Sequence, residues 1–98
     1  MNEKLEQIAD HYGLRHQCMK LLEEMGELTV EVTKYLLSAQ SDSVSHVPIK
    51  LQQELADVNV LVEQVKYLVN TEYVNCEMER KVERQLGRMQ NEQDRISI

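Results

Sequence analysis

From Cys18 to Tyr35 the apolar side chains recur at Cys18, Leu21, Met25, Leu28, Val32 and Tyr35, in alternating steps of three and four. Only a helix packed along its whole length puts such a series on one face. A second series, Leu51, Leu55, Val58, Val62, Val65 and Val69, has the same period, and Val60, Leu61 and Leu68 widen it. From Val58 onward that helix is apolar nearly all round, so it must be covered on more than one side. Phe and Trp are absent, Pro occurs once and Gly three times, a composition that favours long helices over sheet.

The punctuation of the chain sets the boundaries. A short helix is expected over 2–12, with Leu5, Ile8, Ala9 and Tyr12 on one face, and Gly13 breaks or bends it. A second helix follows over 14–37. The serine-rich stretch 38–48 ends at Pro48 and reads as a loop. The third helix spans 49–69, and Asn70 and Thr71 link it to a fourth, with Thr71 as the expected cap. That helix covers 72–91, carries Val74, Met78, Val82, Leu86 and Met89, and leaves a tail expected to fray.

Residues 1–98 therefore form a single all-α domain, a four-helix arrangement with two long central antiparallel helices and flanking ones. A chain this short cannot cover the third helix by itself. Oligomerisation is expected to complete the bundle, as a homodimer or homotetramer. No stretch approaches the ~20 apolar residues of a membrane span. The N-terminus is polar and acidic, unlike a signal peptide. Cys18 and Cys76 read as two buried thiols in a reducing cytoplasm.

The acids need a separate account. Glu24 and Glu27 lie one turn apart, Glu23 and Glu27 equally close, and Glu54 and Asp57 repeat the spacing in the third helix. Most of the other glutamates, Glu31 among them, read as solvated. Glu54 and Asp57, however, interrupt the most apolar helix, where a buried carboxylate must be paired or hold a metal. Lys50 and Lys66, near the ends of that helix, are its only basic residues. An outside cation is the economical partner, and a carboxylate set without nearby imidazole suits Mg²⁺ or Mn²⁺. No E-x-x-H pair supports iron, the cysteines and histidines lack zinc spacing, and there is no EF-hand loop. The net charge of −6 argues against a nucleic-acid polymer as partner. It does not oppose a nucleotide that arrives with its own divalent cation.

At these positions the chain resembles the MazG-like all-α nucleoside triphosphate pyrophosphohydrolases, in their short single-domain form. Their signature of E-E-x-x-E on one helix and E-x-x-D on the next is matched by Glu23-Glu24-Met25-Gly26-Glu27 and Glu54-Leu55-Ala56-Asp57. The resemblance implies that Glu24, Glu27, Glu54 and Asp57 bind Mg²⁺. It places Glu23 beside them as a further ligand or as the base that orients water, so that Glu23 and Glu24 form the catalytic pair. It also implies phosphate contacts from Lys81 and Arg84, with Arg88 a turn beyond; Gln85 stands where a further arginine is often found. The implied reaction is cleavage between the α and β phosphates of a nucleoside triphosphate, giving monophosphate and pyrophosphate. The nucleotide would lie between subunits, with the loop around residues 41–45 closing over it. Tyr12, Tyr35, Asn59 and Tyr67 could each reach a base, although for any one of them a core or surface role is the expected reading. Two other readings fit the same stripes: a helical adaptor whose acids only solubilise it, and a nucleotide binder without turnover.

Overall fold

The computed structural model describes residues 2–38 and 47–96. All its regular structure is helical: α1 (Asn2–Ser38), α2 (Ile49–Val69) and α3 (Thr71–Ile96), with no strand among the described residues. The expected first and second helices form one element, kinked where Gly13 leaves helical geometry at φ 84°, ψ 169°. That conformation is essentially restricted to glycine. Adding a methyl there meets no neighbouring atom, so the cost of Gly13→Ala is purely one of backbone conformation. We expect a loss of roughly 1–3 kcal/mol, seen as a lower melting temperature. An unchanged melting temperature would mean that α1 is straight in solution.

α1 and α2 pack as an antiparallel hairpin, and three contacts fix their register. Tyr67 donates its hydroxyl to Asp10 at 2.9 Å near the kinked end. Further along, the Gln17 amide donates to Gln64 Oε1 at 2.7 Å. Toward the 39–46 connection, Glu54 meets Glu24 and Glu27. The Gln17–Gln64 pair is buried; sliding the helices would strand both amides at a cost of about 1–3 kcal/mol each. The stretch around Ser41–Ser45, expected to close over a nucleotide, lies outside the described residues.

Asn70 separates α2 from α3. Its extended backbone ends α2, with its N–H bonded to Lys66 O at 2.8 Å. Its side-chain oxygen accepts from the Tyr73 N–H at 3.0 Å. Asn70 is therefore the cap, and Thr71 is the first helical residue rather than the cap it was expected to be. Asparagine is among the strongest N-caps, because its short side chain reaches the third free N–H of the next helix. The tail expected to fray is helical through Ile96.

The core is thin. Ala9 and Leu61 are its only buried apolar residues among those described. Met25, Val32, Leu55 and Val60, all on the predicted stripes, remain exposed. α3 packs against α2, makes no contact with α1 and buries none of its side chains. The radius of gyration is 17.4 Å, against about 13 Å for a compact chain of this length. The accessible surface is 8143 Å², against about 5,800 Å² for a compact monomer of this mass. Cys18 and Cys76, expected to be buried, are both exposed free thiols. Their positions mark apolar faces that this chain alone leaves uncovered. No helix among the described residues is long and apolar enough to cross a membrane.

Candidate metal centre

The hairpin brings acids from both of its helices together. Glu24 and Glu27 stand one turn apart on α1, and Glu54 faces them from α2. One carboxylate oxygen from each lies within 4.8 Å of the others. Glu54 is only 4% exposed, since it sits between Leu51 and Leu61 on the face of α2 turned to α1. Glu24 is half-buried and Glu27 is at the open edge.

Three like charges this close oppose one another. The neighbouring Glu24 carboxyl, by hydrogen bonding and by charge, and then the charge of Glu54, push the Glu27 carboxyl above its ordinary range. Two oxygens, Glu24 Oε2 and Glu54 Oε2, are buried without a donor among the described residues. Buried acceptors are almost always satisfied. Buried, converging carboxylate oxygens of this kind fit a hard divalent ion bound through oxygen.

The other predicted site residues are placed differently. Glu23 is exposed and turns to Lys20, whose ammonium lies 3.2 Å from Glu23 Oε2. Asp57 is exposed, is not one of the three converging acids, and has no polar partner among the described residues. The three-residue spacing that unites Glu24 and Glu27 does not bring Asp57 in with Glu54: its side chain is one methylene shorter and stays in solvent. Lys81, Arg84 and Arg88 are exposed along α3. Because α3 does not touch α1, no ion pair within the chain joins them to Glu24 or Glu27.

Comparison of the chain with protein-family models, with curated proteins and with solved structures gives no match. The MazG-like resemblance therefore rests on the motif residues alone.

Two residues near the acids were missed by sequence reasoning. Lys50 Nζ lies 3.0 Å from Glu54 Oε1, where the third helix was read as having no cation for its acids. The signal was present in the spacing, since Lys50 and Glu54 are four apart. Glu31, read as solvated, has a side chain only 14% exposed and pairs with Lys34 at 3.6 Å. It extends the acidic face by one turn, and its charge and that of Glu27 reinforce the Lys50 ammonium, which Glu54 holds most strongly.

Proposed function

We propose that this chain is a Mg²⁺-dependent nucleoside triphosphate pyrophosphohydrolase of the MazG-like kind, working as a homo-oligomer. The observation that carries the reading is the convergence of Glu24, Glu27 and Glu54 from two helices, with two buried oxygens unsatisfied. An adaptor with merely solubilising acids has no reason to bury Glu54.

A divalent cation held there, with Mn²⁺ as a substitute, would lower the pKa of a bound water and offset charge on the departing pyrophosphate. The protein's own residues supply the rest. Glu24, Glu27 and Glu54 bind through a few oxygens and leave the open, Glu27 side for phosphate and water. Glu23 stands next to them in an exposed pair with Lys20. Such a pair is worth at most about 1 kcal/mol, so Glu23 is free to orient the attacking water. The water oxygen bonds to phosphorus as the bridge between the α and β phosphates breaks, releasing monophosphate and pyrophosphate.

The basic residues argue for a second copy. Lys81, Arg84 and Arg88 lie on a helix that leaves its own hairpin, so a polyphosphate at the acids would meet them from a neighbouring subunit. The apolar stripe of α3 must also be covered. The surplus surface is about 2,300 Å² per chain over a compact monomer, which is the scale an obligate homodimer buries. Light scattering is expected to give a homodimer or homotetramer; a stable 11.5 kDa monomer would contradict it.

The reading is tested by incubating the protein with a panel of NTPs and dNTPs plus Mg²⁺ and separating the products. Monophosphate and pyrophosphate are expected. Release of diphosphate and orthophosphate would place the cleavage elsewhere. Nucleotide-dependent stabilisation without any product would favour a binder without turnover, for which the exposed Asp57 and the presence of Gln85 leave room.

A further inference from the structure

We infer that Lys50 is the resident cation of the acid cluster, holding Glu54 in the place of the divalent ion, and that the ion enters by displacing it. This rests on the metal-site reading above. Glu54 is 4% exposed, and only one of its oxygens is satisfied, by the Lys50 ammonium at 3.0 Å. A carboxylate so buried needs a positive partner to stay ionised. Among the described residues, Lys50 is the one that reaches it.

The helix itself gives Lys50 only a weak reason to be there. It lies in the first turn of α2, which contains no acid, at the end where the helix dipole repels a cation. A lysine four residues before a glutamate is also the weaker order for a helical pair. The ammonium is placed there by the acids it faces: Glu54 directly, with Glu31 and Glu27 beyond. It enters from solvent on a side chain that is 61% exposed, so withdrawal costs little packing.

The exchange is one-sided. The ammonium touches one carboxylate and leaves Glu24 Oε2 and Glu54 Oε2 without a donor. A divalent ion would bring twice the charge and could reach all three acids. Lys20 provides a control: it is a lysine beside two of the same acids, Glu24 and Glu27, but it pairs with Glu23, whose side chain is 57% exposed.

The test uses the 98-residue chain without nucleotide, titrated with Mn²⁺ while free Mn²⁺ is followed by electron paramagnetic resonance. Lys50→Met is expected to bind Mn²⁺ roughly tenfold more tightly than wild type, as a direct competitor is removed. Lys20→Met should stay within about threefold, the effect of a nearby charge alone. In EDTA, Lys50→Met should melt below wild type, and saturating Mn²⁺ should close that gap. Equal or weaker Mn²⁺ affinity in Lys50→Met, or an equal gain in Lys20→Met, would overturn the inference and leave the metal site standing. If neither wild type nor Lys50→Met binds Mn²⁺, the metal site falls and the inference falls with it.

Discussion

Glu54→Gln is expected to lower Mg²⁺-dependent turnover at least 100-fold while the circular dichroism spectrum stays helical. Glutamine keeps the volume of Glu54 and can still accept from Lys50, so the α1–α2 hairpin is retained. What it removes is the one charged ligand that α2 contributes to the three-acid cluster. Loss of outer-shell partners alone costs metal sites about 10–100-fold in affinity or activity, and a direct ligand should cost more. Asp57→Asn should lose less, about tenfold, because Asp57 is exposed and stands outside the three. The ordering of the two variants is measured by initial rates of pyrophosphate release. Equal losses would mean that Asp57 joins the site when nucleotide binds. Full activity in Glu54→Gln would remove the assignment.

The second large effect is on stability. A ligand that binds only the folded protein stabilises it by about 2.7 kcal/mol at one hundred times its dissociation constant. For a domain of this size each kcal/mol moves the midpoint by about 4–8 °C. Saturating Mg²⁺ or Mn²⁺ should therefore raise the melting temperature by about 10–20 °C, and Ca²⁺ or ionic strength alone should not reproduce the full shift. The mechanism is relief of like-charge repulsion, visible now as the raised pKa of the Glu27 carboxyl. In Glu27→Gln the metal-free protein should start from a higher midpoint and gain less from the cation. A wild-type midpoint that ignores divalent ions would show that the three carboxylates tolerate each other unaided.

Local chemistry made much of the fold legible. Gly13 and Pro48 punctuate the chain at two of the places where the backbone leaves the helix, and the structure kinks at the first and begins α2 just after the second. The period of the stripes gave the helices, because it depends only on helix geometry, but only part of each stripe, such as Leu21, Leu28 and Val58, is turned from solvent. What covers a face is not written in that face: Cys18, Met25 and Leu55 are open, and α3 leaves the hairpin. The cap went to Asn70 rather than Thr71 because two adjacent polar residues can both serve, and the extended backbone at Asn70 decides between them.

At the site, the spacing of the acids allowed several groupings. Glu23 and Glu24 are both within a turn of Glu27, but Lys20 draws Glu23 outward while the packing of α2 turns Glu54 toward Glu24. Asp57 shares the motif with Glu54 and not its burial, a difference that a letter pattern does not carry. Lys50 was passed over because its position near the end of the helix hid how far a four-carbon stem reaches along it.

The most direct test of the central claim is a crystal grown with Mn²⁺ and examined by anomalous scattering at the manganese edge. A peak bounded by carboxylate oxygens of Glu24, Glu27 and Glu54, at distances of about 2.0–2.6 Å, is the expected result. A well-ordered cluster with no peak at millimolar Mn²⁺, or manganese bound only at other residues, would contradict it.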